Sequence, residues 1–238
     1  MLNIIADYFH PLTRLQRRRQ NYVTSVSMPE SIQMLVNTPQ FQLHDAANVH
    51  PFLVLDFETT GLSPEDDEIL SIGWVPLHQN KIDLSQAQHF LINDATGVRP
   101  ETAVINHITP QMLASGVPLI QAMTSLFAAG KDKIWIAHAC SVEKAFLDHF
   151  IARHFDITDV PIIWLDTLMI EKNMAHLRQE HDCDVSLAAS RERYHLPPYH
   201  SHGALIDAVA TAELFLAQCH RIEPARPISL AKAFRMSH

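Results

Sequence analysis

The segment FLVLDFETTGLSPEDD, residues 52–67, passes from an unbroken apolar run into a turn rich in Gly, Ser, Pro and Asp. FLVLDF after Pro51 reads as a short buried strand, and TTGLSPEDD, residues 59–67, as the loop that leaves it. Asp56 and Glu58 stand two residues apart at the end of that strand, so both side chains face one side of a sheet. Two carboxylates on one face repel, and burying either without a partner is costly. A small hard divalent cation resolves both problems, because magnesium and manganese prefer oxygen ligands.

The pattern outward from this strand predicts an α/β fold. EILSIGWVPL (68–77) reads as a second strand, His78–Lys81 as a turn, and IDLSQAQHFLI (82–92) as a third strand. Three strands joined by short loops form an antiparallel meander. Helix and strand then alternate: a short helix over Pro100–Asn106, a turn begun by Thr109 and Pro110, and a helix over Pro118–Ala129. KIWIAHA (133–139) is a buried strand and Ser141–Phe155 an amphipathic helix. PIIWLDT (161–167) is a strand running into a helix through Met174. A Ser186-capped helix ends at Tyr194, and residues 201–219 form a long apolar-faced helix. The sum is a mixed five-stranded sheet with flanking helices, its first three strands antiparallel.

Charge divides the 238 residues into three parts. Residues 1–45 hold four basic and three acidic residues, 46–220 ten and twenty-two, and 221–238 four and one. The acidic middle reads as the catalytic or binding body, with 1–45 a helical extension and 221–238 a basic tail or loose arm. Leu2, Ile4, Ile5, Phe9 and Leu12 give the first segment a helical stripe. Arg14, Arg17, Arg18 and Arg19 read as a solvated helix face, with phosphate contact as the alternative. A second helix is predicted from Pro29 to Val36, with Ser27 as its cap. The overall charge of -8 argues against a protein held on DNA by bulk charge, but not against a metal-dependent nucleic-acid enzyme.

Other classes fall away. Cys140, Cys183 and Cys219 are scattered and odd in number, which suits a reducing compartment. No run of eighteen uncharged apolar residues predicts a membrane span, and the first apolar stretch precedes its arginines, the reverse of a secretory signal. The expectation is a cytoplasmic protein. His176, His181 and Cys183 match no zinc spacing, and no GxxxxGK exists for a triphosphate motor.

Three further residues could carry chemistry. Asp207 lies among Leu205, Ile206, Ala208 and Val209 on the long C-terminal helix, and His202 lies five residues before it. Glu143 begins the helix after KIWIAHA, at the carboxyl end of a strand, where sites in such folds commonly sit.

Together these residues resemble the DnaQ-like 3′–5′ exonucleases, the histidine-containing DEDD branch that includes polymerase proofreading subunits, ribonuclease T and oligoribonuclease. The first motif appears as VLDFETTGL, residues 54–62, and the third as HGALIDA, residues 202–208. VRPETAVINHITPQML, residues 98–113, resembles the segment after the third strand. The second motif departs: AHACSVEKAFL, residues 137–147, has Ala139 at the usual asparagine, Val142 at the usual phenylalanine and Glu143 at the usual aspartate. Glu143 keeps the charge with one more methylene.

The resemblance implies a ribonuclease H-like fold over roughly residues 50–220. It also implies a catalytic set of Asp56, Glu58, Glu143, His202 and Asp207. In that resemblance the four acids would hold two Mg²⁺ or Mn²⁺ ions roughly 3.5–4 Å apart, Asp56 would be the best candidate to bridge them and His202 would act as general base. Thr59, Thr60, Gly61, Leu62 and His107 are implied at the terminal nucleotide, with Phe57 turned into the core. Asp166, in LDT, is expected to bond backbone near the next helix start. The implied partners are single-stranded or frayed 3′ ends, DNA above RNA, with a polymerase or other replication or repair partner and a homodimer as further possibilities. Short RNA as substrate, or a non-catalytic binding module, are the alternatives.

Overall fold

The computed structural model describes residues 7–37, 41–95, 108–180, 182–199 and 203–238. The expected helix over Pro100–Asn106, together with His107, His181 and His202, lies outside them.

The chain after Pro51 builds a mixed sheet: β1 (Phe52–Thr59), β2 (Ile69–His78), β3 (Lys81–Ile82), β4 (Gln88–Leu91), β5 (Ile134–Ala137) and β6 (Trp164–Asp166). β2 runs antiparallel to β1, β3 and β4, while β5 runs parallel to β1 and β6. The order β3-β2-β1-β5-β6, with β4 also on β2, makes six strands rather than five. The expected third strand is broken: the Asp83 carboxylate accepts the Ser85 amide at 3.1 Å and starts a 3₁₀ turn over Leu84–Gln86. Both halves still pair with β2. The β2–β3 turn holds Gln79 at φ 51° and Asn80 at φ 61°, the left-handed pair that a two-residue hairpin uses.

Around the sheet lie helices α1 (Pro11–Ser25), α2 (Glu30–Val36), α3 (Pro110–Ala114), α4 (Leu119–Gly130), α5 (Ser141–Phe155), α6 (Thr167–Leu177), α7 (Leu187–Arg193), α8 (Ala204–Ile222) and α9 (Leu230–Met236). Alternation along β1 sorts them into two layers. Leu53, Leu55 and Phe57 join the core shared with α2, α4 and α5, including Met123, Phe127, Phe146 and Phe150. Phe52 and Val54 face the other core, with Phe215 of α8, Ile170 of α6 and Phe234 of α9. Period-2 alternation therefore sends Asp56 and Glu58 toward the α8 side and Phe57 away from it, as expected.

The two ends of the chain are built into this body. Leu12, Phe41, Ile228, Leu230 and Phe234 share the second core with β1. The tail is not a loose arm: Ala231 and Leu230 donate their amides to Leu43 and Asp45, both at 2.9 Å, and Ala47 donates to Ile228 at 2.7 Å. Its apolar ISLAKAF stretch, once capped by Ser229, has a helical face to bury.

The arginine run is not a uniform solvated face either. Arg19 is buried and donates to the carbonyls of Leu35 (3.3 Å) and Val36 (3.2 Å), closing the C-terminus of α2. Burial pushes its guanidinium down to about 10. Arg17 stacks on Tyr8 at 3.7 Å, and Arg18 pairs with Asp159 at 3.3 Å. Ser27 does not cap α2, because Pro29 is the N-terminal boundary residue and no side chain bonds the first turn.

Candidate active site

Asp56 and Glu58 end β1, and the β1–β2 register shifts between Glu58 and Thr59. Such a bulge releases the strand from pairing where a site begins. The loop that follows is tied by Asp67, which sequence reading left unassigned. Its Oδ1 accepts the Thr60 hydroxyl at 3.0 Å and its Oδ2 the Ser63 amide at 3.1 Å. Thr60 Oγ1 in turn accepts the Glu68 amide at 3.0 Å. A side chain at Gly61 would meet the Asp67 carboxylate at 2.3 Å, so only glycine lets the loop close on this clamp. Leu62 stands at the tip, 77% exposed.

Asp207 enters from the first turn of α8. Its approach depends on Gly73, which pairs with Asp56 across β1–β2. A Cβ at Gly73 would lie 2.2 Å from the Leu205 amide nitrogen and 2.3 Å from the Ala204 carbonyl carbon. The missing side chain lets the start of α8 rest on the sheet. A lone glycine inside a strand is a sequence signal of such close backbone approach, and it was available in SIGWV.

The result is convergence: one carboxylate oxygen from each of Asp56, Glu58 and Asp207 lies within 4.8 Å of the others. Glu143 comes from the opposite layer, at the start of α5, and stays outside that tight triad. It is nevertheless the charge that acts most strongly on Asp56. It is buried, and its Oε2 has no hydrogen-bond partner among the described residues.

The electrostatics follow from burial without cations. Asp56 is pushed well above the usual carboxylate range, first by burial, then by Glu143, Glu58 and Asp207. Burial and Asp207 raise Glu58 to about 7. Burial raises Glu143 to about 8, with Asp166 and Glu58 adding to it against backbone hydrogen bonds from Glu143 itself and Phe57. An all-oxygen donor set, mutually repelling and with an unsatisfied buried oxygen, fits a hard divalent cation.

Around Glu143, Asp166 bonds backbone as expected, accepting the Leu168 amide at 2.9 Å. Neighbouring His138 bridges Thr167 Oγ1 (2.9 Å) and the Val185 carbonyl (3.0 Å). Burial lowers its basicity. No described helix is long and apolar enough to cross a membrane.

A ribonuclease H-like sheet with clustered acids at its strand ends defines a class, the metal-dependent nucleases of the DEDD type. A family model described as exonuclease matches residues 53–215, and the chain belongs to that family, the DnaQ-like 3′–5′ exonucleases. A PolC-type DNA polymerase III of Thermotoga maritima is 31% identical over 185 residues, covering 78% of this chain but 13% of the relative. The chain thus spans about an eighth of that relative's length. Among solved structures, an E. coli ExoI–ssDNA complex superposes with a TM-score of 0.62 at 16% identity, covering 74% of this chain and 41% of the other. Exonuclease X in complex with 5′ overhanging duplex DNA gives 0.57 at 20%, covering 77% and 99%.

Proposed function

We propose that the protein is a metal-dependent 3′–5′ exonuclease that releases nucleoside 5′-monophosphates from single-stranded or frayed DNA ends. The observation that carries this reading is the convergence of Asp56, Glu58 and Asp207 within 4.8 Å, with a buried Glu143 beside them. These four acids would hold Mg²⁺ or Mn²⁺. When bound, the cations supply the positive charge that activates water and stabilises the phosphate and its leaving 3′ oxygen.

The chain's own residues divide the remaining work. Asp56 and Glu58 present their carboxylates from a rigid strand, and Asp207 closes over them from α8. His202, five residues before Asp207, is the proposed general base on the strength of the motif HGALIDA. The Asp67-clamped loop offers Thr59, Thr60 and Gly61 to the terminal nucleotide. Leu62 at its tip packs on the last base, which favours no particular base. His107 completes the proposed nucleotide pocket.

DNA is favoured because one relative is a DNA polymerase and two of the similar structures are exonucleases solved with DNA. The acidic body suits a short footprint of a few nucleotides rather than a long duplex track. A polymerase partner is part of the same proposal, since the PolC-type relative carries its similar region within a far longer chain.

The test is hydrolysis of 3′-labelled and 5′-labelled single-stranded DNA with Mn²⁺, Mg²⁺ or EDTA, beside Asp56→Ala. Stepwise metal-dependent shortening from the 3′ end, absent in the variant, is the expected result. Cleavage of matched RNA alone reassigns the substrate. No cleavage of either returns the chain to a binding role.

A further inference from the structure

The turn that delivers Glu143 has little support from its own side chains: the exposed Ser141 hydroxyl donates to the Ala139 carbonyl at a long 3.4 Å. Cys140 stands at the N-terminal boundary of α5 and makes no side-chain cap bond. Ala139 before it holds φ 64°, in the left-handed region. That conformation costs an L-residue with a Cβ about 1–2 kcal/mol, and asparagine tolerates it better than alanine. The asparagine usual in the resembled family is the residue missing here, so something else must hold the backbone in this shape.

Asp166 does so from the neighbouring strand. It ends β6 and pairs in register with Ala137, the last residue of β5. Its Oδ1 accepts the Ala139 amide at 3.0 Å and its Oδ2 the Cys140 amide at 3.1 Å. The same Oδ1 accepts the Leu168 amide at 2.9 Å and the Met169 amide at 3.3 Å, capping α6. One buried carboxylate thus joins two helix starts. The start of α5, at Cys140, leads within three residues to Glu143, whose carboxylate acts on Asp56.

We infer that Asp166 is a positioning residue for the metal site: by clamping the left-handed Ala139–Cys140 turn, it sets Glu143 against Asp56 as a divalent-cation ligand. This rests on the exonuclease reading above. Asp166 makes no claim to touch metal or substrate.

The experiment is Mn²⁺ titration by calorimetry of the full chain, with thermal melting alongside, so that binding is read without turnover. Asp166→Ser keeps a short oxygen able to cap α6 but too short to span to Ala139 and Cys140. It is expected to weaken Mn²⁺ binding by roughly 10–100-fold, the range for lost orienting partners of metal ligands. Adding Ala139→Asn to Asp166→Ser is expected to recover most of that affinity. Ala139→Val supplies an arm independent of the folding of Asp166→Ser. It leaves Asp166 intact and drives the turn out of the left-handed region, with the same weakening expected. Wild-type Mn²⁺ affinity in a folded Asp166→Ser or in Ala139→Val, with only the melting temperature lowered, overturns the positioning role and leaves the exonuclease reading standing. A wild-type chain that binds no Mn²⁺ overturns both.

Discussion

Two buried acidic regions lie on the α8 side of the molecule and behave in opposite ways. Glu171 on α6 is fully buried, yet its carboxylate is held by Arg178 (3.2 Å), Arg193 (3.1 Å), the Tyr194 hydroxyl (2.9 Å) and Gln218 (3.3 Å). Burial alone raises it, but these hydrogen bonds together bring it below its ordinary value. Asp56 is surrounded instead by Glu143, Glu58 and Asp207, and every one of those charges raises it further. A carboxylate supplied with donors from inside the chain is a structural tie. A carboxylate supplied only with more acid is stable in its charged form when a cation arrives from outside. The difference separates a packing element from a site.

The comparison breaks most sharply at Asp56. Asp56→Asn should abolish metal-dependent hydrolysis while the metal-free chain melts no lower than wild type, because one repelling charge has gone. A melting temperature that falls with retained hydrolysis would make Asp56 a structural acid like Glu171. At Glu171 the expectation reverses. Glu171→Ala strands Arg193, while Arg178 keeps Glu180 at 3.0 Å, and should cost about 3 kcal/mol in urea unfolding, with Mn²⁺ affinity of the folded fraction unchanged. A loss below 1 kcal/mol would show that the arginines find other partners.

Gly73 tests how the acidic region is assembled. Gly73→Ala forces a Cβ against the Ala204–Leu205 backbone and should destabilise by about 1–3 kcal/mol, the range for overpacking. Because α8 carries Asp207, metal-dependent activity should fall more than stability does. Activity that merely tracks the folded fraction would leave Gly73 a packing residue. The pH dependence distinguishes the two regions by sign. Glu58 and Glu143 are raised in the fold to about 7 and about 8. Their contribution is full below their ordinary unfolded values and is lost as pH rises through those folded values. The metal-free chain should therefore lose stability between roughly pH 5 and 8, and Mn²⁺ should restore it most at the alkaline end. Glu171 is depressed, so its contribution is present above its ordinary value and lost as pH falls through its folded value. Melting curves across pH with EDTA or Mn²⁺, compared with Glu171→Gln, separate the two slopes. A metal-free melting temperature flat from pH 5 to 8 would contradict the raised acids.

Much of the site was legible without coordinates because its signals are local. Asp56, Phe57 and Glu58 follow from strand alternation, and the loop after them from its turn residues. The helix carrying Asp207 follows from its apolar spacing. Where expectation and structure part, the missing information was long-range. The third strand is the exception: it broke because Asp83 caps a local 3₁₀ turn two residues on. Arg19 left its run of arginines because the end of α2, seventeen residues on, needed donors. The tail joined the core because Phe234 and Leu230 found Leu12 and Phe41.

The sequence by itself determined the strand and helix periods, the pairing of two acids on one strand face and the order of the motifs. These depend on residues a few positions apart and on the fixed geometry of strand and helix. Only the tertiary structure decided which buried acid is neutralised and which is not. Glu143 and Glu171 each follow an apolar residue and precede a lysine on a helix, and these neighbours do not tell them apart. The distinction is made by Arg193, Tyr194 and Gln218 from other segments in one case, and by Asp56 and Phe57 on β1 in the other. A charge's energy depends on which partners surround it in space, and that is settled only when the layers close.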